Sequence, residues 1–179
     1  MAELTLPRGK PYIIQREPTL QTGPAVTYGS NGLMIGGEAH LFGEIEYRKT
    51  PEKDYRIRDN FTVGVFSSPD GKRTMSQIAF SRLAVPIGGV LSPVELTAGI
   101  PLTFVADQDA DTQSVAGGLS LDLNILFPRP EPAEKGTIDF FGAGTVRGEI
   151  GLGGTIDGAQ IDYYFHWGLS AMLLGGIRF

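Results

Sequence analysis

Residues 136–179 alternate apolar and polar side chains so regularly that few folds can accommodate them. From Ala159 to Phe179 the odd positions read Ala, Ile, Tyr, Phe, Trp, Leu, Ala, Leu, Gly, Ile, Phe, while the even positions include Gln160, Asp162, His166, Ser170 and Arg178. Just upstream the phase reverses. Ile138, Phe140, Val146, Ile150, Leu152 and Ile156 take even positions, with Asp139, Arg147 and Glu149 between them. Side chains along a strand point alternately to opposite faces, so a period of two predicts strands with one apolar face. Asp157-Gly158 separates the two runs. Asp-Gly between alternating segments is a strong hairpin signal, because a type I′ turn needs φ > 0 at both central residues. Residues 136–156 and 159–179 are therefore expected to form one long hairpin.

The same reading extends toward the N-terminus. Residues 33–48 set Leu33, Ile35, Ala39, Leu41, Ile45 and Tyr47 against Glu38, His40, Glu44, Glu46 and Arg48. Residues 54–67 set Tyr55, Ile57, Phe61, Val63 and Val65 against Arg56, Arg58, Asn60 and Thr62, and Ser68-Pro69-Asp70-Gly71 makes a tight turn after them. Residues 72–86 read as a strand of mixed phase, as a β-bulge would produce. Residues 93–106 and 114–127 alternate again, and a shorter strand near 24–29 precedes Ser30-Asn31-Gly32. No segment carries an i, i+3, i+4, i+7 apolar stripe. Eight strands, each beside its neighbour in sequence, leave two open edges unless the sheet closes. The expected fold is all-β: a closed antiparallel eight-stranded meander barrel over residues 24–179, with residues 1–23 as an N-terminal arm or lid.

Composition removes several functions. The chain has 179 residues, a net charge of −5 and only 15 Lys+Arg, which argues against a nucleic-acid surface. With no cysteine, thiolate metal sites, disulfides and cysteine nucleophiles are excluded. His40 and His166 fall on the polar faces and read as surface residues rather than a metal pair. Asp107-Gln108-Asp109-Ala110-Asp111 begins like a calcium loop, but Thr112 and Gly118 stand where such a loop needs Gly and Glu, so it reads as an acidic loop. No metal and no cofactor are expected.

Period two fits two opposite objects. A water-soluble barrel turns its apolar face inward, whereas an outer-membrane barrel turns it toward lipid and keeps polar groups inside. An alternating last strand ending in Phe179, with Tyr163, Phe165 and Trp167 as part of an aromatic girdle, suits the membrane form. The sequence begins without a cationic segment followed by an apolar run, its wider connections fall at the end that carries the termini, and Pro101 removes a ladder donor within a strand. These favour the soluble form, and with it a cytoplasmic protein. On that choice Glu44, Glu46 and Glu149 pair with Arg56, Arg58 and Arg147 on the wet outside; in a membrane barrel they become a lumen network. The soluble inward set is mostly apolar, with Gln77, Ser81, Tyr47, Tyr55, Tyr163 and the Trp167 indole as its polar groups. Such a lining suits a small-molecule pocket.

The eight-stranded meander with an N-terminal arm resembles the allene oxide cyclase and dirigent-type barrels. In size and layout it is similar to the small-barrel spirotetronate and spirotetramate cyclases. The local resemblance lies in Phe42–Tyr47 (FGEIEY), Asn60-Phe61, the Pro69-Asp70-Gly71 turn and Gln77, and it extends loosely over residues 33–179. It implies a cofactor-free [4+2] cyclisation of a bound apolar chain, driven by confinement in a near-attack geometry. The expected site has Gln77 and Tyr163 as catalytic hydrogen bonders and Trp167, Phe140, Phe61, Tyr47, Leu169 and Val63 as the substrate lining. A non-catalytic lipocalin-like carrier and an outer-membrane barrel are the alternatives. The expected partners are a hydrophobic small molecule and a second copy of the chain, with neither nucleic acid nor membrane.

Overall fold

In the computed structural model, which describes residues 19–49, 54–88, 92–127 and 138–178, eight strands follow one another around a closed antiparallel barrel. They are β1 (Thr19–Gly29), β2 (Gly32–Lys49), β3 (Asp54–Ser67), β4 (Arg73–Pro86), β5 (Val94–Asp107), β6 (Thr112–Phe127), β7 (Asp139–Asp157) and β8 (Gln160–Arg178). The meander closes where Thr19 pairs with Arg178 and Gly29 with Gly168. β8 runs on past Gly168 to Gln160 beside β7. That stagger is the shear a tilted barrel requires. β1 begins at Thr19, so residues 19–23, expected in the arm, belong to the wall; the rest of the arm lies outside the described residues.

All four connections opposite the termini are short. Ser30 and Asn31 link β1 to β2, and Gly32 at φ 75° closes that turn. In the turn after β3, the Gly71 N–H donates to the Ser68 carbonyl at 2.9 Å, with Gly71 at φ 72°. After β5, Asp107 Oδ1 accepts from the Asp109 and Ala110 N–H groups at 3.0 and 3.2 Å, so this acidic loop is an Asx-type turn. Asp157 itself pairs with Gln160, leaving Gly158 and Ala159 as the loop. Only Gly158 has positive φ there, as in a type II′ turn, so the expected Asp-Gly type I′ turn is shifted by one residue.

The blurred phase of β4 has the expected cause. Its register against β5 slips between Ser81 and Leu83, and the buried positions change from odd (Met75, Gln77, Ala79, Ser81) to even (Ala84, Pro86) across the slip. Pro101 is accommodated as well. Around it the pairing with β4 is continuous from Asp107 to Gly99, but the ladder to β6 breaks between Gly99 and Leu102, where the missing donor falls.

The orientation of the wall is the reverse of the one expected for a soluble barrel. Leu119, Leu121, Leu123 and Ile125 on β6 are exposed, while Ser120, Asp122 and Asn124 between them are buried. On β8, Tyr163 is 84 % exposed and Leu169 56 %, whereas His166 and Ser170 are 3 % and 2 %. In all, 34 large apolar side chains are exposed among the described residues. Arg82 is the charge that interrupts this outer wall between the turns among the described side chains. The interior is small and polar, with apolar contacts among Ala25, Met34, Phe66, Met75, Val105 and Met172. An eight-stranded barrel is barely wide enough for its inward side chains. The bulky apolar face does not fit inside, whereas the Gly, Ala, Ser and Thr face does.

Candidate functional site

The interior is organised around Arg147 of β7, which is 1 % exposed. Its Nε and Nη2 donate to Oδ1 and Oδ2 of Asp122 on β6 at 3.0 and 3.1 Å. Its Nη1 donates to both oxygens of Glu38 on β2 at 3.1 and 3.2 Å and to Gln77 Oε1 on β4 at 3.0 Å. A guanidinium presents several donors in a fixed plane, so one side chain can tie four strands together.

The network continues on both sides. Glu38 Oε2 lies 2.9 Å from His40 Nε2. Gln77 has its carbonyl occupied by Arg147, which turns its amide nitrogen toward Thr103 Oγ1 at 3.1 Å and Glu149 Oε2 at 2.8 Å. The other oxygen of Glu149 lies 3.0 Å from His166 Nε2. A second chain crosses β5, β6 and β7: Thr145 donates to Asn124 Oδ1 at 2.7 Å, and Asn124 Nδ2 donates to Thr97 Oγ1 at 3.1 Å. Burying so many polar groups is tolerable only because they satisfy one another. Three carboxylates, Glu38, Asp122 and Glu149, face one guanidinium here, with His40 beside Glu38 and His166 beside Glu149.

Against this geometry the expected site divides. Gln77 is inside and 2 % exposed, but its amide is committed to Arg147, Thr103 and Glu149 rather than to a cavity. Tyr163, Trp167, Phe140, Phe61, Leu169 and Val63 all lie on the outer wall at 40 % exposure or more, and of these Trp167 also borders a small hollow beneath the β1–β2 turn. They share the parity of the bulky apolar residues, and the narrow interior has no room for that face. Tyr47, with Tyr55, Glu44, Glu46, Arg56 and Arg58, falls outside the described side chains. His40 and His166, read as surface residues, are buried. Arg147 and Glu149 are buried and paired rather than wet. The alternation alone does not distinguish Asp122 or Glu38 from other polar-face residues, although aligning the β6 and β7 runs brings Asp122 opposite Arg147.

The outer wall has its own order. Near the tight turns Tyr28 and Trp167 meet edge to face, with ring centroids 5.9 Å apart at 76°. Tyr163 and Phe165 lie close by in sequence, while Phe127 and Phe140 stand at the strand ends that carry the termini. Charge gathers in the turns, as in the exposed Lys72–Asp109 pair at 2.6 Å. No helix of the described residues is long and apolar enough to cross a membrane. No protein-family model matches the chain, and no curated protein matches its sequence.

Proposed function

We propose that this chain is an integral β-barrel of the outer-membrane type, with its apolar wall in lipid and its interior closed by the Arg147 network. The observation that carries this reading is the inversion along each strand: Leu119, Leu121 and Leu123 outside, Ser120, Asp122 and Asn124 inside. In water, a continuous apolar belt of this extent has no counterweight. In a bilayer it is what the solvent requires, since closed barrels satisfy every backbone donor and acceptor within the wall. The strands have 11 to 19 residues, ample for a spanning strand of about 9–11. Aromatic residues toward both ends of the belt and charges in the turns fit the two interfaces. The filled interior favours a membrane-embedded scaffold over an open pore. The compact turns opposite the termini supply no large receptor loops at that end. The cyclase reading required an apolar cavity, and the interior that would have to provide it is occupied by ion pairs.

The test is refolding from denaturant with and without detergent micelles or lipid vesicles. The expected result is a folded, monodisperse barrel only with amphiphile present, and in vesicles a core of the chain protected from protease. A monodisperse folded protein in plain buffer would overturn the proposal.

A further inference from the structure

We propose that the hollow beneath the β1–β2 turn is a binding site for a soft monovalent metal ion, of the Cu(I) or Ag(I) class, held by His166, Met34 and Met75. The hollow has room for about one water-sized occupant and is lined by these three residues together with Glu149, Asn31 and Trp167. The inference concerns the interior and stands whether or not the outer wall meets lipid.

His166 supplies the nitrogen. Its Nε2 lies 3.0 Å from Glu149 Oε1, while its Nδ1 is buried without a hydrogen-bond partner. In the tautomer whose Nε2–H donates to this carboxylate, the lone pair is on Nδ1. A histidine whose far nitrogen donates to a carboxylate is the usual state of a metal-bound imidazole, and the carboxylate fixes the ring and raises its basicity. Glu149 is in turn fixed by the Gln77 amide at 2.8 Å.

The thioethers supply the selectivity. Met34 and Met75 are 0 % and 4 % exposed, and Met75 Sδ lies 3.9 Å from Asn31 Nδ2 at the rim of the same hollow. Both oxygens of Glu149 are already engaged, so the hollow offers no free carboxylate for a hard cation. One imidazole nitrogen and two thioether sulfurs suit a soft ion, and the single charge of Glu149 beside the ring balances a single positive charge.

The test uses the full chain folded in detergent micelles, with Ag(I) as a redox-silent probe followed by calorimetry and by the methionine methyl resonances. Cu(I) is then measured in competition with a chromophoric chelator. The expected result is one ion per chain, with the Met34 and Met75 methyls and the His166 ring shifting together. The double variant Met34→Leu/Met75→Leu, nearly conserved in volume, and His166→Gln should each weaken binding by about tenfold or more. Met172→Leu should bind as the parent does. Absence of saturable binding, or binding that survives in the Leu/Leu variant with its fold intact, would overturn the proposal.

Discussion

Arg147 and Asp122 are direct partners in the β6–β7 ladder, and their side chains close a two-point hydrogen bond at 3.0 and 3.1 Å inside the barrel. Removing Arg147 leaves Glu38 and Asp122 buried with no guanidinium beside them. Arg147→Met is therefore expected to cost about 3–5 kcal/mol. Arg147→Lys should recover only part of this, because an ammonium cannot bond Asp122 at two points while holding Glu38 and Gln77. Denaturant unfolding in micelles, with a double-mutant cycle through Asp122→Asn, measures both. An Arg147→Met barrel as stable as the parent would show that the network holds nothing together.

The outer wall makes an opposite demand. Leu119 lies near the middle of β6 and is 65 % exposed. If that face meets hydrocarbon, Leu119→Arg should destabilise the barrel in vesicles by about 2–4 kcal/mol. If it meets water, the same change should be neutral and should improve solubility. Arg at a turn position such as Asp109 should be tolerated in either case, which makes the pair of variants a depth gauge for the wall.

The alternation in the sequence shows eight strands in meander order, although β1 starts five residues before its expected position, and the mixed phase of residues 72–86 signals the slip between Ser81 and Leu83. It does not say which face is inside, because parity is blind to the barrel axis. The sequence does contain the deciding property, which is the size of the side chains on each face. On β7 the odd positions from 143 read Ala, Thr, Arg, Glu, Gly, Gly, and on β6 the even positions from 114 read Ser, Ala, Gly, Ser, Asp, Asn, Leu. Only such small faces, with a few long polar chains among them, fit within eight strands. What stayed hidden is the joining of Arg147 to Glu38 and Gln77, on strands distant in sequence, since it depends on how the closed sheet faces itself.

Asp70 gives a pH signature confined to one turn. The Ser68 hydroxyl first, and then the Lys72 backbone N–H, hold its carboxyl below the ordinary aspartate value of 3.8. A depressed folded value means the contribution is complete above the unfolded value and is lost as pH falls through the folded one. The hydrogen-bonded amide of Gly71, which donates to the Ser68 carbonyl at 2.9 Å, should keep its exchange protection above 3.8 and lose it below. Asp70→Asn should remove that dependence. Because the carboxyl is fully exposed, the global unfolding midpoint should not follow it.

Two glycines of the β6–β7 region separate a packing requirement from mere tolerance. Gly118 faces Gly151 across the ladder, and a Cβ on Gly118 would overlap the Ile150 carbonyl and the Gly151 Cα, both of them backbone that cannot rotate away. Gly148, on the same β7 strand, has open space where its Cβ would be. Gly118→Ala must therefore spread the two strands beside the place where Pro101 already interrupts the β5–β6 ladder, and is expected to cost about 1–3 kcal/mol. Gly148→Ala should be neutral or gain a few tenths, since alanine restricts the unfolded chain more than glycine does. Unfolding midpoints of the two variants in the same micelles decide the matter. Equal midpoints would mean that the close approach of β6 and β7 at this point contributes nothing to the closure of the barrel.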